Sequence, residues 1–95
     1  MSARVGLLTV DLCITDALTL KDKRQVVRSV LDRATRRHNV AAAQVGKLES
    51  RRRARVGFAC VSNDGGHARE MLQAVLRLVE SEPRAVVEDS DIELF

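Results

Sequence analysis

Four side chains in this 95-residue chain have the chemistry to attack, to ligate or to pass a proton: Cys13, His38, Cys60 and His67. Each stands alone. Structural zinc sites take ligands paired roughly three to five residues apart, and none of the four has such a neighbour, so no metal site is predicted. Nucleophilic catalysis needs a nucleophile, a base and a group that orients the base. No spacing in the chain supplies that set, and no catalytic residue is assigned. His38 lies four residues after Ala34 and seven after Leu31, on the apolar side of a predicted helix, which predicts a packed imidazole. His67 closes Ser62-Asn63-Asp64-Gly65-Gly66-His67, where a glycine pair at a helix start can offer N–H groups to an anion. Asp64 argues for a structural cap instead, because its carboxylate takes the same N–H groups and repels phosphate. The glycines fit neither a phosphate loop nor a dinucleotide fingerprint, and no cofactor is predicted.

The charged residues are more informative. Residues 21–55 hold twelve of the sixteen Lys and Arg against three acids, net +9, whereas residues 80–95 hold six acids and Arg84, net −5. A positive surface of this kind fits a polyanion and makes its binding fall with salt. The candidate contacts are Lys21, Lys23, Arg24 and Arg28 at a helix start, and Arg51, Arg52, Arg53 and Arg55 in and after a predicted hairpin loop. A charged helix face is usually just solvated, with Arg33, Arg36 and Arg37 complementing the negative helix end and Asp32 pairing with Arg36. Three adjacent arginines in a loop repel one another and do nothing for a turn, so the loop carries the stronger binding expectation.

Six elements must position these groups. Leu8, Val10 and Leu12 alternate with Thr9, Asp11 and Cys13 in a strand over 3–14. Thr19 and Asp22 have capping-box spacing at the start of a helix from Leu20, whose apolar stripe is Leu20, Val27, Val30, Leu31 and Ala34 and whose stop is Asn39. Strands follow over 40–45 and 54–62, joined by the loop Lys47–Arg53. A second helix opens after Asn63, buries Ala68, Met71, Leu72, Val75 and Val79, and ends before Pro83. The last strand spans 85–95, with a bulge or bend expected at Glu88-Asp89-Ser90. Strand, helix, strand, strand, helix, strand is the order of a ferredoxin-like α+β sandwich: one domain over 1–95, a four-stranded antiparallel sheet and two helices on one face. Its other face is expected to carry Val5, Leu7, Cys13 and Val61, an apolar surface that predicts a homodimer.

The run Leu20-Lys21-Asp22-Lys23-Arg24, then Asn39-Val40, Val45-Gly46 and Ser62-Asn63-Asp64, at these separations, resembles the YlxP-like proteins. The likeness spans nearly the whole chain. It implies a ferredoxin-like fold, a bacterial cytoplasmic setting and a gene neighbourhood of transcription and translation factors, while the family's molecular function is unknown. Three residues depart from the family's pattern: His38 replaces a common aromatic, Gln44 an acid, and Arg51 a loop tryptophan of the kind that anchors recognition. Such departures fit a specialised paralogue.

Three functions remain in view, the third being a protein-interaction module that holds an acidic partner on the same basic surface. One is a non-catalytic accessory protein that binds RNA or a ribosome-associated partner through the basic helix and hairpin. Gly57-Phe58-Ala59 echoes the RNA-recognition signature, yet Phe58 and Phe95 are the only aromatic residues, so backbone and shape recognition is expected rather than base stacking. The second is a dimeric small-molecule carrier or enzyme, with His38, Cys60 and His67 near a pocket at the open sheet face. No apolar run reaches the length of a membrane span, and the cytoplasm is the expected compartment.

Overall fold

The computed structural model describes residues 2–95. Its elements run β1 (Arg4–Cys13), α1 (Leu20–Arg37), β2 (Ala41–Gly46), β3 (Arg53–Ser62), α2 (Gly65–Glu80) and β4 (Val86–Leu94). The strands form one antiparallel sheet in the order β2-β3-β1-β4. This is the ferredoxin-like α+β arrangement.

Period-two alternation decides what the sheet buries. Leu8, Val10 and Leu12 of β1 and Ala54, Val56, Phe58 and Cys60 of β3 face the helices and are all buried. Val26, Val27, Val30 and Ala34 of α1, with Ala68, Leu72, Val75, Leu78 and Val79 of α2, close the core from above. A fully buried Leu or Val contributes roughly 1.5–3 kcal/mol, so this shared face stabilises the fold. Met71 is only partly buried at the core's edge, and Leu78 joins the buried face of α2.

The ends follow local chemistry. Thr19 Oγ1 accepts the Asp22 N–H at 3.1 Å while the Asp22 carboxylate accepts the Thr19 N–H at 3.1 Å, completing the capping box. At the other end His38, not Asn39, caps α1, its N–H donating to Ala34 O at 2.9 Å. Asp64 caps α2, accepting the Gly66 N–H at 2.9 Å. The β1–β4 register slips between Asp11 and Leu12, where Asp89 and Val87 are the successive partners, so Glu88 is the extra residue of a bulge.

A carboxylate in the turn between α2 and β4 ties that turn to α1. Glu82 is 3% exposed and accepts from Arg84 Nη2 at 2.8 Å, Arg84 Nε at 3.0 Å, the Arg84 backbone N–H at 2.9 Å and Arg33 Nη2 at 3.2 Å. Hydrogen bonds from Arg84, then the nearby positive charge of Arg33, hold its pKa at about 2 against the opposing effect of burial. Arg33 therefore serves this latch rather than the helix end.

Candidate nucleic-acid interface

Lys23 is the most buried large side chain of the basic set, at 0% exposure. It lies three residues after Leu20, four before Val27 and seven before Val30, so the helical period puts it on the apolar stripe. Its stem crosses the core edge and its Nζ reaches the β2–β3 loop. There it donates to Lys47 O at 2.9 Å, Arg53 O at 3.0 Å and Leu48 O at 3.3 Å, and also to Ser50 O. Burial lowers its pKa, with Arg24 acting the same way and Glu49 opposing, while the carbonyl oxygens replace the lost water around the ammonium. Lys23 is thus removed from the predicted phosphate contacts: its N–H groups are committed to the loop backbone.

The loop accepts a local strain to make this cage. Lys47 sits at φ 58°, in the left-handed region that costs a non-glycine residue roughly 1 kcal/mol or more. Its carbonyl receives both the Lys23 ammonium and the Ser50 N–H at 3.2 Å, and Ser50 Oγ accepts the Arg53 N–H at 3.0 Å. The hairpin tip is therefore fixed to the first turn of α1.

The arginines of the hairpin divide. Arg53 donates to Glu88 from Nε at 3.0 Å and from Nη2 at 3.3 Å. Arg55 holds Asp11 in the same two-pronged way, at 2.8 and 3.3 Å, and Lys47 Nζ adds a 3.5 Å contact to that carboxylate. The Arg55 hydrogen bond keeps the Asp11 carboxyl below its usual range. Both arginines sit on the open sheet face, where alternation sends odd-numbered β3 residues across from acids of β1 and β4. They are internal counter-charges, which corrects the expectation that all four arginines project together toward a partner. Arg52 is exposed and spends its Nε on Ala17 O at 3.3 Å. Arg51 is exposed, as are Lys21, Arg24 and Arg28, and among the described residues none of these four has a side-chain hydrogen bond or ion pair.

Between α1 and the edge strand β2 runs a groove of about 390 Å³, lined by Arg24, Val27, Arg28, Leu31, Asp32, Thr35, Ala42 and Gln44. Gln44, one of the family departures, donates its Nε2 to Gly46 O at 3.1 Å, so its amide supports the strand end. No Asp32–Arg36 ion pair forms.

The remaining candidates are dispersed. Cys60 is 3% exposed beneath α2, its Sγ 3.9 Å from Ala68 O, and so faces the helices rather than the open sheet face. Phe58 lies on the same covered face, which puts the Gly57-Phe58-Ala59 echo out of phase with a base-stacking surface. Cys13 pairs with Arg53 at the opposite end of the sheet and on its other face. His38 is the half-buried cap of α1. His67 is exposed, its Nδ1 3.4 Å from Ser62 Oγ. The groove that includes Cys60 is lined by Val5, Asn39, Val40, Ala41, Ala59 and Val61, and neither histidine reaches it. Val5, Val61 and Val45 are exposed on the open face, joined by Phe95, whose N–H donates to Val5 O at 2.8 Å.

Comparison with known proteins gives the lineage. A family described as "Protein of unknown function (DUF503)" matches residues 5–92. The chain belongs to this family. It is 32% identical over 79 residues to the "Uncharacterized protein YlxP" of Bacillus subtilis (strain 168), an overlap of 83% of this chain and 86% of that one. Among solved structures it is similar to "De novo designed protein Foldit4", with a TM-score of 0.52, 13% identity, and coverage of 99% of this chain and 94% of the other. That likeness concerns the fold alone. Among the described residues, no helix is long and apolar enough to cross a membrane.

Proposed function

We propose that this DUF503 protein is a non-catalytic cytoplasmic accessory protein that docks on structured RNA, such as a ribosome presents, through the corner where α1 meets the hairpin tip. The supporting observation is the Lys23 clamp: four loop carbonyls held by one ammonium fix the tip beside α1. Lys21, Arg24 and Arg28 on the helix and Arg51 on the tip then project from a fixed backbone as a positive surface, with Arg52 at its margin. A backbone fixed in this way loses little loop entropy on binding. Without exposed aromatic residues in the array, it grips phosphates and shape rather than bases. The acidic outer strand β4 lies at the far edge of the sheet from α1 and β2, so an RNA meets one attractive side and one repulsive side.

The test is a fluorescence titration of a helical ribosomal-RNA fragment between 50 and 200 mM KCl. Four phosphate contacts give a log–log salt slope of about −3 to −4. The triple variant Lys21→Glu, Arg24→Glu, Arg51→Glu is expected to abolish binding. The pair-breaking variant Arg55→Ala is expected to retain it. A flat salt response, or no binding at 50 mM, overturns the proposal.

A further inference from the structure

The two edges of the sheet are treated differently. β4 bears Glu88, Asp89, Asp91 and Glu93 and is bulged at Glu88, two devices that prevent strand addition. β2 lies at the other edge and reads Ala41-Ala42-Ala43-Gln44-Val45-Gly46, without a charge, a proline or a residue larger than Gln44 on its helix side. Its only register shift lies at its last residues, between Gln44 and Gly46. An edge this bare offers a row of backbone donors and acceptors to another strand.

What lies beside that row selects the occupant. The apolar part of the groove between β2 and α1 is lined by Val27, Leu31 and Ala42. Arg24 and Arg28 stand over it against the one acid of its lining, Asp32, which leaves the groove net positive, and among the described residues neither guanidinium has a hydrogen bond or ion pair. They are one helical turn apart, a rise of about 6 Å. Same-face residues of an extended strand are separated by roughly 6.5–7 Å. A peptide laid along β2 therefore brings side chains i and i+2 opposite Arg24 and Arg28 in turn. We infer that the free edge of β2 accepts an extended acidic peptide as a fifth strand, with an acid-x-acid pattern facing α1.

A second copy of β2 fits poorly. Two-fold pairing of these strands brings together two α1 helices, each with seven basic residues and two acids. The occupant is a negatively charged protein segment, and it shares only Arg24 and Arg28 with the RNA surface proposed above. It needs the backbone edge, which RNA does not use.

The chain's own outer strand has the required pattern, Asp89-x-Asp91-x-Glu93, so an acetylated, amidated peptide of sequence 86–94 is a suitable probe. Titrated into the ¹⁵N-labelled full chain, it is expected to shift the Ala41–Gly46 amides and slow their hydrogen exchange. Methylating alternate peptide nitrogens on its pairing edge leaves its charge intact and is expected to weaken binding by about tenfold or more through loss of the ladder bonds. Replacing Asp89, Asp91 and Glu93 of the probe with lysine is expected to abolish it. Arg24→Glu with Arg28→Glu is expected to do the same. Lys21→Glu with Arg51→Glu is expected to weaken RNA and leave the peptide unaffected, so the two readings fail separately. Unchanged β2 amides overturn the inference. So does equal binding by methylated and unmethylated peptide, which reports charge attraction alone. Ala42→Phe fills the groove and is expected to block the probe; if this variant does not give a folded spectrum, the methylated peptide decides.

Discussion

Replacing Lys23 with methionine removes one charge and no stem, and it isolates what the ammonium does. Its three N–H groups are distributed over four carbonyls, of Lys47, Leu48, Ser50 and Arg53. A hydrogen bond to a charged group is worth roughly 1.5–3 kcal/mol net, so three of them set an upper limit of about 5–9 kcal/mol. Two effects reduce it. The variant no longer buries a charge, which returns several kcal/mol, and the loop lies at the surface, where freed carbonyls regain water. A net loss of about 3 kcal/mol is expected, lowering Tm by about 12–24 °C for a chain of this size. Calorimetry and urea unfolding measure the loss. Native-state exchange locates it, because the Ser50 and Arg53 amides are held within the same loop and are expected to exchange faster. A Lys23→Met protein within about 0.5 kcal/mol of the parent, the range of an ordinary surface change, refutes the clamp. RNA affinity is expected to fall in this variant although Lys23 touches no phosphate, since the hairpin tip loses its fixed place beside α1.

Three further outcomes check other parts of the structure. Glu82 has a folded pKa of about 2 against an ordinary 4.5, so its contribution is complete above about pH 4.5 and is lost as pH falls toward 2. Glu82→Gln is therefore expected to cost about 3 kcal/mol at pH 7 and to converge on the parent near pH 2, in denaturant titrations across that range. A methyl group at Gly6 meets Leu72 Cδ1 at 2.8 Å and Cys60 Sγ at 3.3 Å. Gly6→Ala is expected to destabilise by about 1–3 kcal/mol, measured by thermal unfolding. Half-buried Cys13 is expected to react with Ellman's reagent faster than buried Cys60 in the native protein, and the two are expected to react alike in urea.

The architecture was readable because the core elements obey one period each. The alternation of Leu8, Val10 and Leu12 and the Thr19–Asp22 cap placed β1 and the start of α1 to within a residue or two. Even the bulge showed, since acids at consecutive positions cannot all alternate with a buried face. The candidate site was legible only as composition. Residue type groups Lys23 with the solvent-facing charges, although its spacing from Leu20, Val27 and Val30 puts it on the buried stripe, a signal present in the sequence. Glu82 gave less warning. Its burial depends on Arg33 and Arg84 meeting from two separate parts of the chain, and no local pattern encodes that meeting.

The excess of basic residues consequently overstates the charge available to a partner. Lys23 is buried in carbonyls, Arg33 and Arg84 hold Glu82, and Arg53 and Arg55 hold Glu88 and Asp11. These interactions connect the hairpin loop to α1, the α2–β4 turn to α1 and strand to strand, so part of the apparent binding signal is used to hold the fold. The positive groups left in solvent at the α1–hairpin corner are fewer, yet they are set by that internal network. A partner bound there senses the network indirectly. Weakening an internal pair near the corner, as in Lys23→Met, is expected to reduce affinity, whereas weakening the Arg53–Glu88 pair on the open face is expected to leave it unchanged. Equal effects of the two changes in the RNA titration would mean that bulk charge, rather than a positioned array, governs binding.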